Sequence, residues 1–373
     1  MRETRQTARP FVLRTLFRRQ AAGLFLLLIA ACSAIPPAVR PVPGGAAGPD
    51  SGPILRSQSD LLPVTAPDIP SLLPRWQPLD DAGEIAAFAG RIRKPRLEFW
   101  AVRVMLKYAV PENGAAEARE DPGQRILIGA GDGIPRFGHA ASTRVSSFAR
   151  NNGLTAAINA VPFDPSSARE GEDRRVVGLG VSEGRLIAPP VPRFDALVFY
   201  RDGRAAIMGQ GELRGAENGV PPEILHAVGG FHCILRDGEL TGRAQQKSPR
   251  YARSAAGLSA DGVTLYLIAI NGGRLTNRGA TEAETALLLG QIGAQDALNL
   301  DGGGSSALAL RFPIGPAGGP ADGVAGGNPS GGVAVLNTPV HAGFPGRERA
   351  VALCLGIGPR RFGRDPAGSP PRP

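Results

Sequence analysis

Cysteine, histidine and aromatic side chains are scarce in this 373-residue chain, and each scarcity removes a class of explanation. The three cysteines, Cys32, Cys233 and Cys354, contain no Cys-x-x-Cys pair, and the four histidines are scattered, so no metal-ligand spacing is present and no metal is invoked. His226 and His232 read as core or surface residues. Aromatics make up 5% of the chain and do not interleave with basic residues. The formal charge of +9 sits at the ends: six arginines face one glutamate in residues 1–31, and four arginines face Asp365 in residues 359–373, which leaves the body near +1. A body that close to neutral lacks the basic surface of a phosphate-backbone binder, so nucleic acid is excluded as a partner. No internal repeat is long enough for a solenoid.

Long apolar runs are also missing. The stretch Ala21 to Ala31 falls short of the roughly 20 residues that a spanning helix needs. Preceded by Arg18-Arg19, it reads as an export signal, and its end, Leu28-Ile29-Ala30-Ala31-Cys32, resembles a bacterial lipobox. Residues 1–31 are therefore expected to be a lipoprotein-type leader, with Cys32 lipidated and the product a periplasmic or outer-membrane lipoprotein; cleavage near Ala31 or Ala34 to give a soluble secreted protein is the alternative. Eleven prolines between Pro36 and Pro78 mark residues 32–78 as a tether, and residues 359–373 share that character as a disordered tail. The folded domain is expected over 79–358. Cys233 and Cys354 lie in apolar runs, where a disulfide and two buried thiols are equally compatible with the sequence.

Strand signals dominate that domain. Glu183-Gly184, Asp202-Gly203, Asp237-Gly238 and Asp261-Gly262 each separate two apolar segments, the signature of tight hairpins. Helices are expected over Asp80 or Asp81 to Arg91, over Ser142 to Asn151, and over Thr281 to Ile292, where Thr281-Glu282-Ala283-Glu284 spells a capping box. The whole reads as α+β, a mixed and largely hairpin-connected sheet system with a few packed helices.

One segment looks like a site. Asp301 closes the apolar run Ala297 to Leu300 and is followed by Gly302-Gly303-Gly304-Ser305-Ser306. Three consecutive glycines are costly to order, so a folded triple implies a sharp turn or close approach to a ligand. Two further apolar runs end in amides, Asn159 and Asn271, and strands lying side by side would gather Asn159, Asn271, Asn299 and Asp301 at one edge.

Four blocks then resemble the phosphodiester glycosidase family: Ala156-Ala-Ile-Asn-Ala-Val-Pro-Phe-Asp164, Arg253-Ser-Ala-Ala-Gly257, Asn299-Leu-Asp-Gly-Gly-Gly-Ser-Ser306 and Arg347-Glu-Arg-Ala-Val351. Ala160-Val161-Pro162 depart from the family's glycines after Asn159. The resemblance implies cleavage between an anomeric carbon and a phosphate oxygen, releasing free sugar and leaving a phosphomonoester, without a cofactor, on an envelope or extracellular glycan. It implies Asp301, Arg253, Asn159 and Glu284 as catalytic residues, and Gly302, Gly303, Gly304, Ser305, Asn271 and Asn299 as substrate-binding. The second carboxylate stays open between Glu284, Asp164 and Asp237, each of which also has a structural explanation as helix cap or turn residue. A carbohydrate-binding or envelope-assembly protein on the same scaffold is the alternative, and a metal-dependent phosphodiesterase the third reading.

Overall fold

Four dipeptides turn the backbone as their chemistry requires. Glu183-Gly184 joins the strand Gly180–Ser182 to Arg185–Ala188, Asp202-Gly203 joins Asp195–Tyr200 to Ala205–Gly209, Asp237-Gly238 joins Cys233–Arg236 to Glu239–Leu240, and Asp261-Gly262 joins Arg253–Leu258 to Thr264–Ile270. All four glycines take positive φ, as do Glu183 and Asp237, the geometry that matches the twist of hairpin strands. A computed structural model of the chain describes residues 67, 69–80, 83–106, 125–132, 136–213, 219–312 and 332–358. The leader at 1–31, Cys32, the first part of the tether and the tail at 359–373 lie outside the described residues.

Three sheets dominate. One has eight strands in the order Gln77–Pro78, Ile85–Ile92, Leu97–Met105, Thr264–Ile270, Arg253–Leu258, Asp296–Asn299, Cys233–Arg236 and Glu239–Leu240. A five-stranded sheet follows the order Gly332–Val335, Leu308–Phe312, Ala156–Asn159, Cys354–Gly358 and Arg125–Gly129, and another follows Arg185–Ala188, Gly180–Ser182, Ile224–Gly229, Asp195–Tyr200 and Ala205–Gly209. Their inner faces share one core: Val102, Ala256, Leu267 and Leu298 come from the first, Ile158, Leu308 and Leu355 from the second, and Leu197 and Val228 from the third. The outer faces of the first two are covered as well, by α2 (Glu282–Gln291) and α1 (Val145–Asn151) respectively. Strands buried on both faces read as continuous apolar runs, which is why their sequences show little alternation.

The fold is thus more sheet-dominated than the expected α+β mixture. Every pairing within these sheets is antiparallel, and α1 and α2 are the α-helices among the described residues. The helix expected up to Arg91 is instead the strand Ile85–Ile92, paired along its whole length with Leu97–Met105. Asp80 does cap a backbone amide, that of Ile85 at 3.2 Å, but in a turn; burial against a neighbouring strand overrides the helix preference of Ala86, Ala87 and Ala89. The packed body also begins earlier than Leu79. Ile69, Leu72 and Trp76 cover the α2 side of the large sheet, with Leu72 N donating to Gln291 Oε1 at 2.8 Å and Gln291 Nε2 donating to the Ile69 carbonyl at 3.2 Å. Cys233 and Cys354 are both free thiols, in different sheets, and burial pushes the pKa of each up.

Helix α2 starts as its sequence dictates. Thr281 Oγ1 accepts from Glu284 N at 3.1 Å while Glu284 Oε2 accepts from Thr281 N at 2.9 Å. Replacing Thr281 with alanine is expected to cost about 1 kcal/mol of stability, measured by urea unfolding.

Candidate active site

In the large sheet, Thr264–Ile270 and Asp296–Asn299 flank the strand Arg253–Leu258 and both run antiparallel to it. Their C-terminal ends therefore emerge together beside the start of that strand, and Asn271 and Asn299-Leu300-Asp301 share one edge. Asn159 arrives from the facing sheet and joins the two. Its Nδ2 donates to the Asp301 carbonyl at 2.6 Å, while its Oδ1 accepts from Ser254 Oγ at 2.7 Å and from Ala307 N at 3.1 Å. Asp301 N in turn donates to the Ala160 carbonyl at 2.9 Å. Asn159 is fully buried, and these bonds hold its side chain against the Asp301 main chain rather than toward the Asp301 carboxyl.

Asp301 sits deep in the protein with a limited face open. Burial pushes its carboxyl from 3.8 up to about 6, against the Ser305 hydroxyl, Arg349 and the Gly302 amide, all of which favour the ionised form. The glycines allow this approach. A Cβ on Gly302 would sit 3.0 Å from the Ala252 carbonyl, which already receives Gly303 N at 2.7 Å, and one on Gly304 would overlap the Arg349 guanidinium.

Arg349 is the cation of this cluster. Its Nη1 donates to Ser305 Oγ at 3.2 Å and its Nε to His341 Nδ1 at 3.2 Å. A guanidinium only donates, so His341 Nδ1 must be the acceptor and its proton resides on Nε2. Burial, Arg349 and Arg347 all lower the His341 pKa, in keeping with a neutral ring.

Arg253, which the resemblance implies as catalytic, makes no ion pair with Asp301 among the described residues. Its Nε donates to the Ala280 carbonyl at 3.1 Å, its Nη2 to the Pro249 carbonyl at 2.9 Å, and its Nη1 meets Glu282 Oε1 at 3.5 Å; only its Cδ approaches Gly302. Every nitrogen of this guanidinium is already engaged. Glu284 is likewise accounted for, by the Thr281 amide and an ion pair with Arg250, so it does not face Asp301. Asn271 braces neighbouring chain, accepting from Thr338 N at 2.8 Å and donating to Glu98 Oε2 at 3.3 Å. Asp164 is exposed beside Arg175 and Asp237 occupies its hairpin turn, both apart from the cluster. Asn299 is buried, and its Oδ1 has no hydrogen-bond partner among the described residues.

Three residues went unassigned in the sequence. Arg349 lies inside a block already singled out, but no local signal ties it to Ser305 across 44 positions. His341 looks like a solitary histidine, and Glu282 is hidden beside the capping Glu284. Glu282 pairs with Arg253 and, with Asp195, counters the burial that lowers the His232 pKa. A cavity lined by Tyr200, Leu258, Ser259, Asp261 and Asp296 opens at the opposite ends of these strands and holds none of the cluster.

Substituting Asn159 with leucine strands the Asp301 carbonyl, the Ala307 amide and the Ser254 hydroxyl. A loss of roughly 2–4 kcal/mol is expected by urea unfolding.

Among solved structures, a hypothetical protein from Synechocystis superposes with a TM-score of 0.50 at 15% identity, covering 76% of this chain, which spans 64% of that protein's length. The catalytic domain of zebrafish N-acetylglucosamine-1-phosphodiester alpha-N-acetylglucosaminidase, auto-inhibited by its pro-peptide, gives 0.47 at 19% identity over 77% of this chain and 88% of that one. No curated protein matches. The family model described as phosphodiester glycosidase matches residues 152–358, more than half of the chain and all of the Asp301 cluster, and the chain belongs to that family.

Proposed function

We propose that the protein hydrolyses glycosyl-1-phosphodiesters, releasing free sugar and leaving a phosphomonoester. The observation that carries this reading is Asp301, a carboxyl titrating near 6 beside a guanidinium and a bare glycine backbone. Cleavage breaks the bond between the anomeric carbon and the phosphate oxygen, and the electron pair leaves with phosphate. Arg349, whose guanidinium overlies Gly304, suits the phosphate, helped by amides of the glycine turn. Arg253 would have to leave Glu282 and two carbonyls to do the same. Ionised Asp301 faces the cationic sugar that develops, and a water then supplies its oxygen to that carbon and its proton to a base.

The departure at Ala160-Val161-Pro162 leaves the reading intact, since all three residues are buried, Ala160 and Val161 within the shared core. The finer reading places the enzyme outside the cytoplasm, anchored through lipidated Cys32, acting on an envelope or extracellular glycan. It rests on residues 18–32 and predicts that Cys32→Ser moves the protein from the membrane to the soluble fraction on fractionation of expressing cells.

If ionised Asp301 is the working form, kcat/KM for a sugar-1-phosphodiester falls about tenfold per pH unit below 6 and is flat above it. A rise below 6 would instead make Asp301 an acid. Asp301→Asn is expected to lower kcat by about 10³-fold. The raised carboxyl pKa costs stability once the unfolded chain ionises, so the contribution of Asp301 to wild-type stability declines between pH 3.8 and about 6. The melting temperature of Asp301→Asn relative to wild type should accordingly climb over that interval and then level.

Arg349→Lys should cost roughly 10–100-fold in kcat/KM by losing the fork that bonds Ser305 and phosphate together. Arg253→Lys should act mainly on stability. Equal losses of turnover in both at unchanged stability would undo the assignment.

A further inference from the structure

Three segments border the Asp301 edge, 247–253, 271–281 and 338–347, and contain no carboxylate; Arg250 and Arg253 are paired with Glu284 and Glu282 of α2, which leaves Lys247, Arg274, Arg278 and Arg347 without an ion pair among the described residues. They touch one another. Tyr251 and Ala280 form a β-bridge, Gly272 abuts Tyr251 and Ala252, and a Cβ on Gly273 would lie 3.5 Å from Val340 Cβ. The same segments carry Tyr251, Leu275 and Phe344, at 52%, 101% and 60% exposure, three of the six large apolar side chains exposed among the described residues. Arg347 stands over the Phe344 ring at 5.8 Å. A lone exposed apolar residue is ordinary, but two loop tips that each pair an apolar side chain with arginine, on touching loops, are not.

We propose that this edge docks on an anionic lipid surface. Leu275 and Phe344 would enter the boundary between headgroups and acyl chains, and Arg274, Arg278 and Arg347 would meet the anionic headgroups. A soluble polyanion would account for the cations and leave a fully exposed leucine without a role. Docking there brings the opening beside Asp301 against the membrane.

Hydrogen exchange of the full chain, with vesicles of phosphatidylcholine alone or mixed with phosphatidylglycerol, reads the contact segment by segment, whatever the N-terminus binds. Exchange should slow in 271–281 and 338–347 with the anionic vesicles alone. The doubly substituted Leu275→Asp, Phe344→Asp chain should lose that slowing while turning over a soluble sugar-1-phosphodiester at the wild-type rate, and Arg278→Ser should weaken it roughly fivefold. No slowing in those segments, or slowing that the double substitution leaves unchanged, overturns the proposal. Slowing by dextran sulfate equal to that by vesicles and indifferent to Leu275 and Phe344 also overturns it, in favour of a soluble polyanion. Docking without diester turnover would defeat the hydrolase reading and leave this one standing.

Discussion

One buried amide holds the site together. Asn159 belongs to the five-stranded sheet, and the residue it grips, Asp301, belongs to the end of a strand in the eight-stranded sheet. The same side chain satisfies the Ser254 hydroxyl and the Ala307 amide, so the two sheets are registered to each other where the carboxyl must be placed. Polar groups that deep are tolerated only when their partners are complete. The arrangement therefore fixes the Asp301 main chain tightly and frees its side chain to answer to Ser305, Gly302 and Arg349.

The electrostatics at that side chain are a balance with burial on the stronger side. Three groups favour the anion, yet burial still pushes the carboxyl up to about 6. Arg349 is subject to a parallel compromise, since burial lowers its pKa and Asp301 raises it. A guanidinium held by a neutral imidazole on one side and a serine hydroxyl on the other is restrained without a full carboxylate partner, which preserves its charge for an anionic ligand. Arg253 shows the opposite arrangement. Two carbonyls and Glu282 consume it, and it serves to fasten the start of its strand to the head of α2.

Where chemistry is local, the sequence was readable. Each of the four acid-glycine hairpins depends on two adjacent residues, and the capping box depends on residues three apart, so both stand as read. The glycine triple declared itself through the cost of ordering it. The rest depended on competition that no window reveals. Which arginine joins the Asp301 cluster is decided by carbonyls at Pro249 and Ala280 that capture Arg253, and by the return of the chain that brings Arg349 to Ser305. Ile85–Ile92 carries enough alanine to read as helix, yet its fate is set by Leu97–Met105 alongside it. Glu284 and Glu282 share one helical turn, and only their partners distinguish the cap, which bonds Thr281 and Arg250, from Glu282, which pairs with Arg253.

The placement of the strand Cys354–Gly358 has a consequence for biosynthesis. It lies between Ala156–Asn159 and Arg125–Gly129 rather than at a margin, so two early strands wait for one of the latest. Hairpins can form as soon as both of their strands are present, but neither this sheet nor the contact from Arg349 can close until residues beyond 350 are available. Assembly of the Asp301 cluster is consequently a late event that coincides with completion of the whole domain.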